Sequence, residues 1–351
     1  MMGEISLRDA LVPPLILCGI MLLTASWLSA ISGVDGTNLF SSYLSIGLFV
    51  TFVCVVTWSL LEVGAMAITR ESRPIEVMRR KIPGRLELII LPTLVAPIFL
   101  AGFSTAKVAI PFVVGYPWEA FWADADRAIL GVDAWRITHA VLGPWLTAVL
   151  AFCYTYIWSL SLGITEAFVA IYGGRRLVGT FFTALLLTWI IGGCLMAYAV
   201  SAAGPIFAEM GDPDLIAQFA PLHVQLNAVL APDGAILRTQ AYLAEAVGNR
   251  IAAGGGGISA MPSMHVAEMA ILVLAARRTR WMWPAVLLWV LIFIGSVHFG
   301  YHYALDGVVG TLIALLCWKI ADRHFERVML SRSAPPVAPR AAPALGNALS
   351  S

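Results

Sequence analysis

Charged residues are scarce in this sequence. Asp, Glu, Lys and Arg make up 12% of the 351 residues, whereas hydrophobic residues make up 60%; soluble domains carry about 25% charged residues. The net charge is only +1, so we expect no nucleic-acid partner. Apolar runs long enough to cross a bilayer, about 20 residues each, recur along the chain. The sequence therefore predicts an all-α, polytopic membrane protein.

Paired cysteines and metal-binding clusters are also lacking. The five cysteines lie in apolar runs without paired spacing, which is typical of small buried side chains. No group of acidic residues accompanies the histidines, so we predict no metal and no other cofactor. The N-terminus lacks the pattern of a cleaved signal peptide, because its apolar run, 11–31, is long and has no convincing cleavage site. We expect this run to remain as the first span.

Eight apolar segments are predicted to span the membrane as helices of one bundle. They are residues 11–31, 43–68, 86–106, 144–172, 177–202, 262–276, 283–299 and 301–320.

The connections between these segments differ in positive charge, which predicts the orientation. Arginine and lysine are concentrated in the connections after the second, fourth and sixth segments, and such loops stay in the cytoplasm. We therefore expect an inner (cytoplasmic) membrane protein with both termini in the cytoplasm. Two long segments, 107–143 and 204–261, then face outward. The glycine run 254–257 fits either the hinge of a lid or a flexible connector.

His302 and Asp306 are four residues apart, a spacing that puts both side chains on one face of a helix. A carboxylate that holds one imidazole nitrogen leaves the other nitrogen available as a nucleophile or base. The same spacing also occurs in a capped helix start with an ion pair, so the pair alone does not decide the function.

Residues 262–265, Pro-Ser-Met-His, precede an apolar run and predict a helix start. The first N–H groups of a helix attract anions such as phosphate, and His265 would there donate a proton to a leaving oxygen. Lys107, at the end of the third segment, would neutralise a phosphoryl oxygen, although a lysine at a membrane edge also snorkels without a catalytic role.

Three separate parts of the chain thus bring cations, a helix start and a His–Asp pair to the same side of the membrane. Together they predict a site for phosphoryl transfer that works without metal. Three acidic residues inside the spans, Glu62, Glu166 and Glu268, leave a different class open, a proton-coupled transporter.

These motifs resemble those of the type 2 phosphatidic acid phosphatase superfamily, with Lys107, residues 262–265 and the His302–Asp306 pair in the family's order. The chain is most similar to the inositol phosphorylceramide synthase-like branch. That similarity lies in residues 107–111, 125–127, 204–205 and 261–267. The resemblance implies a six-helix catalytic core within 86–321. Residues 1–85 would hold two N-terminal spans and a basic cytoplasmic loop, and 322–351 a disordered cytoplasmic tail.

The resemblance also implies roles for the site residues. His302 would attack phosphorus and form a phosphohistidine, and Asp306 would orient it. His265 would protonate the leaving oxygen and then activate the acceptor. The partners would be a lipid phosphate substrate, a lipid or polyol acceptor and the surrounding membrane lipids; we make no prediction of oligomeric state.

Lys107, Ser263 and the backbone N–H of Met264 would hold the phosphoryl oxygens. Met264 stands where the family has glycine, and we expect its side chain to narrow the pocket. The family's two arginines are also absent, because residues 114–115 are Val-Gly and residue 296 is Ser.

A site with one lysine is better matched to a phosphodiester, which carries one negative charge, than to a monoester, which carries nearly two. This favours transfer between lipids over a phosphatase acting on phosphatidate or a polyprenyl phosphate. Arg127, His298 or Ser296 would be auxiliary residues that compensate for the missing arginines. Arg127 equally fits an ion pair with Asp124 or Asp126, and His298 equally fits a core histidine.

Overall fold

The computed structural model describes residues 5–81, 83–252 and 254–333. Over these ranges the protein is a helical bundle without a strand, and a single β-bridge joins Asp35 to Ile251. The helices used below are α1 Leu7–Ser32, α2 Thr37–Ile68, α3 Pro74–Lys81, α4 Glu87–Val113, α5 Glu119–Leu130, α6 Ala134–Val141, α7 Pro144–Tyr172, α8 Arg175–Ala199, α9 Ile216–Val229, α10 Ala235–Asn249, α11 Met264–Ala276, α12 Met282–His298 and α13 Ala304–Ser333.

Six helices are long and apolar enough to cross a membrane, namely α1, α2, α4, α7, α8 and α13, and two shorter apolar helices, α11 and α12, complete the eight predicted segments. This confirms a polytopic all-α membrane protein. α11 has 13 residues, and at 1.5 Å per residue it rises about 20 Å, less than the hydrocarbon thickness of about 30 Å. Irregular backbone therefore has to continue at membrane depth, which is tolerated where it is buried in protein or lines a cavity.

α8 is the centre of the bundle. Most of its apolar length is buried, and it packs against α13, α1 and α11, while α1 also packs against α4. α2 lies at the periphery against α4 and α7 and is largely exposed. Four shorter helices, α5, α6, α9 and α10, lie outside the set of apolar spans. α10 contributes to the wall of the cavity described below, whereas α5, α6 and α9 line a smaller pocket that also reaches His302 and Tyr303.

The last helix extends farther than expected. Residues 322–333 belong to the predicted disordered tail but continue α13, and the remainder of that prediction, 334–351, lies outside the described residues. The reason is packing: Phe325 is fully buried against Gly179 of α8. Asp322 also accepts a hydrogen bond from Arg176 at 3.0 Å and lies 3.7 Å from Arg277.

Candidate active site

A cavity of about 280 Å³ brings together Lys107, His265 and His302. It lies where α4 ends, α11 begins and the chain passes from α12 to α13. Five aromatic side chains form much of its wall: Tyr154, Trp158, Phe207, Tyr242 and Tyr301. Among the described lining residues, Lys107 is the only Lys, Arg, Asp or Glu. The cavity is therefore an apolar pocket with one lysine and two imidazoles.

His302 is held in one tautomer by the backbone. Its Nδ1 lies 2.8 Å from the carbonyl oxygen of Ala260, and a carbonyl only accepts, so Nδ1 carries the proton. Its own N–H donates to the Ser296 carbonyl at 3.1 Å. The ring is buried against the cavity wall. This arrangement leaves Nε2 with its lone pair, which is the form that a nucleophilic imidazole requires.

The prediction that His302 and Asp306 share one face of a helix is wrong. His302 lies in the connection before α13, and only Asp306 lies in the first turn of that helix. The two side chains meet because Asp306 Oδ2 turns back to accept the N–H of Tyr303 at 2.8 Å, which places it 3.4 Å from Nδ1 of His302. Asp306 is fully buried, and its Oδ1 has no hydrogen-bond partner.

His265, in the first turn of α11, is surrounded by aromatic rings. Its ring stacks on Tyr154 with centroids 4.9 Å apart and lies 4.2 Å from the ring of Trp158. The His302 ring is 6.0 Å away, edge to face. The two imidazoles therefore line the same cavity, next to each other.

The start of α11 is the predicted anion site. The first intrahelical bond runs from Ala267 N–H to the Ser263 carbonyl, so the N–H groups of residues 264–266 have no acceptor within the helix. The Ser263 hydroxyl is buried without a hydrogen-bond partner, and its N–H donates to the Asp306 carbonyl at 3.0 Å. Ser263 and Met264 are not among the described lining residues of the cavity.

The side chain of Met264 does not narrow the pocket as expected. It packs against Gly192 and Gly193 of α8: a Cβ built on Gly192 would lie 3.0 Å from the Met264 sulfur. Because two glycines of α8 make room for it, methionine is accommodated where the family has glycine.

The three predicted auxiliary residues lie outside the described wall of the cavity. His298 stacks on His139 with centroids 4.0 Å apart and is buried, as in the core-histidine interpretation. Arg127 forms an ion pair with Asp133 at 2.9 Å, and not with Asp124 or Asp126.

Ser296, the third of them, donates its hydroxyl to the Phe293 carbonyl of its own helix at 2.7 Å. No side chain among these three therefore replaces the missing arginines at the described wall.

Sequence reasoning missed Glu119, the first residue of α5. Its buried carboxylate accepts the N–H groups of Ala203 and Gly204 and, at 2.6 Å, the hydroxyl of Tyr303 beside His302. Burial raises the pKa of Glu119 to about 7, partly offset by these hydrogen bonds.

Asp126 lies two turns farther along α5 and is also buried. It accepts the N–H of Leu305 at 3.1 Å and so caps the start of α13. Burial raises the pKa of Asp126 as well. Glu119 and Asp126 are seven residues apart, which puts them on the same face of one helix. This spacing was the feature of the sequence that could have predicted a buried acidic pair.

The segment 254–258, here called the cover segment, passes over Lys107. Gly257 has φ +93°, and a Cβ there would lie 2.8 Å from Lys107 Cγ and 2.9 Å from the Val108 nitrogen, so only glycine fits. Gly255 N–H donates to the Tyr43 hydroxyl at 2.7 Å, and the Tyr116 hydroxyl donates to the Ile258 carbonyl at 2.9 Å. The glycine run is thus part of the cavity wall.

Within residues 5–81, 83–252 and 254–333, no three His, Cys, Asp or Glu side chains are grouped so that they could bind a metal. The expectation that the reaction needs no metal stays a prediction.

A family model described as the PAP2 superfamily matches residues 124–320. No significant match to a curated protein or to a solved structure was found. The matched range includes His265, His302 and Asp306, whereas Lys107 and Glu119 precede it.

Proposed function

Because the chain belongs to the PAP2 superfamily, we propose that it is a lipid phosphotransferase that works through a phosphohistidine at His302. Membership supports a phosphatase or phosphotransferase of lipid phosphates in general. The observation that carries the narrower proposal is the cavity itself, which holds two imidazoles and Lys107 as the only Lys or Arg in its described wall. The motifs at 107–111 and 261–267 favour the inositol phosphorylceramide synthase-like branch.

In the first half-reaction, His302 Nε2 attacks the phosphorus of a lipid phosphodiester. A P–N bond forms, the P–O bond to the departing lipid breaks, and His265 gives its proton to that oxygen. The ring of His302 becomes positively charged, and the Ala260 carbonyl and the Asp306 carboxylate next to Nδ1 stabilise that charge. Lys107, which lines the cavity, would stabilise the phosphoryl oxygens together with the N–H groups at the start of α11 that have no acceptor within the helix.

In the second half-reaction, the hydroxyl of the acceptor attacks phosphorus. His265 takes the hydroxyl proton, the P–N bond breaks, and His302 is released with Nε2 unprotonated. Donor and acceptor occupy the site in turn, so a cavity of about 280 Å³ needs to hold only the phosphoryl group and its head group at one time.

The charge of the cavity favours a diester donor. A monoester carries nearly two negative charges at pH 7 and a diester one, and the described wall supplies one lysine and no arginine. Arg127 forms an ion pair with Asp133, and His298 stacks on His139, so neither adds a charge to the described wall. A phosphatase that acts on phosphatidate or a polyprenyl phosphate is the alternative within the family, with water as acceptor and the same two histidines.

The two ends of the bundle support the proposed orientation in the membrane. The cavity is at one end, and Arg176 and Arg277 contact Asp322 at the other. Positively charged ends stay in the cytoplasm. We therefore place the cavity on the extracytoplasmic side of the inner membrane and both termini in the cytoplasm.

The test uses purified protein in detergent–lipid micelles with EDTA. It receives phosphatidate, a polyprenyl phosphate, or phospholipid diesters with and without diacylglycerol or ceramide, and both inorganic phosphate and new lipids are measured. We expect new lipid that depends on the acceptor, without free phosphate. Phosphate release from monoesters would instead identify a phosphatase.

Two variants complete this test. His302→Ala should abolish turnover, whereas His324→Ala, which changes an exposed histidine of α13, should not. Turnover that survives His302→Ala in a folded protein would contradict the phosphohistidine, whereas a wild type that converts none of these lipids would favour a different class, such as the transporter.

A further inference from the structure

Glu119 is connected to His302 through the backbone. Its carboxylate accepts the N–H groups of residues 203 and 204. The preceding residue, Ala202, accepts the N–H of Ala260 through its carbonyl at 2.8 Å. The carbonyl of Ala260 in turn lies 2.8 Å from Nδ1 of His302. The carboxylate thus holds residues 203–204. The neighbouring Ala202 binds Ala260, and the Ala260 carbonyl is the acceptor for the imidazole.

A second connection runs through Tyr303. This residue follows His302 directly, and its hydroxyl donates to Glu119 Oε1 at 2.6 Å. Its N–H donates to Asp306 Oδ2, and its ring packs edge to face on Phe219. The segment that carries the nucleophile is therefore held from both sides, by Glu119 on the tyrosine hydroxyl and by Asp306 on the backbone.

The charge of Glu119 needs an explanation beyond packing. The side chain is 1% exposed, and a buried carboxylate is costly even when it accepts hydrogen bonds. A neutral glutamine would accept the same backbone N–H groups at lower cost. An ionised carboxylate accepts all three donors at once, namely the N–H groups of residues 203 and 204 and the Tyr303 hydroxyl. Glutamine has only one acceptor oxygen for them.

We propose that Glu119 is a positioning residue for His302. Its ionised carboxylate holds residues 203–204 and the Tyr303 hydroxyl, and so keeps the Ala260 carbonyl in the place where it fixes the Nδ1–H tautomer and leaves Nε2 as the nucleophile. This inference rests on the proposed function of His302.

The ionised form is the active one, because three donors converge on the carboxylate and a protonated carboxyl would need an acceptor of its own. Three ionisable side chains interact electrostatically with the Glu119 carboxylate: Tyr303, Asp306 and Tyr116. Burial raises the pKa of Glu119 to about 7, so its ionisation changes within the physiological range.

The test compares the wild type, Glu119→Gln and Asp124→Asn in the intact protein. Asp124 is an exposed acid on the same helix, so its variant is the matched control. For Glu119→Gln we expect kcat to fall about tenfold or more, as when other orienting hydrogen bonds are lost, with KM unchanged. The wild type should lose activity as the pH falls through about 7, and Glu119→Gln should lack this acidic limb.

Two results would overturn the proposal. One is a Glu119→Gln variant that keeps the wild-type kcat and acidic limb. The other is a loss of kcat that is equal at every pH and is accompanied by a lower Tm, which would indicate a structural role. Should Glu119→Gln fail to fold, Glu119→Asp keeps the charge, and recovery of part of kcat and of the acidic limb is expected; no recovery would count against the proposal.

A measurement independent of turnover separates this inference from the proposed function. In protein labelled with ¹⁵N-histidine, the His302 ring signals are identified by their loss in His302→Gln. We expect Glu119→Gln, but not Asp124→Asn, to shift them away from the pure Nδ1–H tautomer. A wild type without phosphotransferase or phosphatase activity would refute the proposed function, and unchanged His302 signals in Glu119→Gln would refute the role of Glu119.

Discussion

The Nδ1 nitrogen of His302 lies closer to a backbone carbonyl, that of Ala260 at 2.8 Å, than to the carboxylate of Asp306 at 3.4 Å. The tautomer of the nucleophile is therefore set mainly by the peptide, and Asp306 contributes charge and the turn before α13.

This relationship predicts the effect of Asp306→Asn. Since the Ala260 carbonyl still holds Nδ1–H, we expect kcat to fall about 10- to 100-fold, whereas His302→Ala removes all turnover. Steady-state kinetics on the preferred lipid of the panel would show the difference. Equal loss in both variants would mean that Asp306 alone orients the ring.

Gly257 predicts a steric effect at the cover segment. Gly257→Ala places a Cβ 2.8 Å from Lys107 Cγ at φ +93°, so we expect a stability loss of at least about 1 kcal/mol and a higher KM. Gly248→Ala is the control, because its Cβ meets nothing within 4 Å in α10 and alanine favours a helix. Thermal unfolding and kinetics of both variants test this; similar behaviour would contradict the close approach.

Met264→Gly would restore the glycine of the family motif, but we do not expect it to give the protein phosphatase activity. The methionine fills the space beside Gly192 and Gly193, and removing a buried methionine side chain costs about 2–5 kcal/mol. We expect a lower Tm and no gain in phosphate release from monoesters. An increase in monoesterase activity would show instead that the methionine restricts the pocket.

The ionisation of Glu119 predicts how stability depends on pH. Its pKa is about 7 in the folded protein against an ordinary value of 4.5, so the folded state holds a proton between these values and the unfolded state does not. The stability from this group is complete below pH 4.5 and is lost as the pH rises through 7. Between pH 5 and 8, the Tm of the wild type should therefore fall relative to Glu119→Gln, and not relative to Asp124→Asn.

Orientation is tested with single cysteines added at exposed positions of the two ends. Asp214→Cys is near the cavity end and Arg278→Cys follows α11 at the other end. In intact cells, a membrane-impermeant thiol reagent should label the first and not the second. The reverse pattern would place the cavity in the cytoplasm. The unmodified protein is the control for its own five cysteines.

The sequence predicted the helices and the grouping of Lys107, His265 and His302, because long apolar runs and short motifs express these features locally. It did not predict the role of Glu119 or of the Ala260 carbonyl. Their partners are backbone groups far away in the chain, and backbone N–H and C=O groups are the same in every residue except proline. The packing of the Met264 side chain could not be predicted either, because it depends on two glycines of α8 that are far away in the sequence.

The order in which the site residues occur along the chain has a consequence for synthesis. Lys107 and Glu119 leave the ribosome early, whereas the histidine that carries the proposed chemistry comes just before the last helix. An incomplete chain already inserted in the membrane would have Lys107, the proposed phosphate-binding lysine, but no nucleophile. The Ala260 carbonyl would then have no imidazole to bind. On the proposed function, the protein cannot cleave the lipids around it until His302 and Asp306, around the start of α13, are in place.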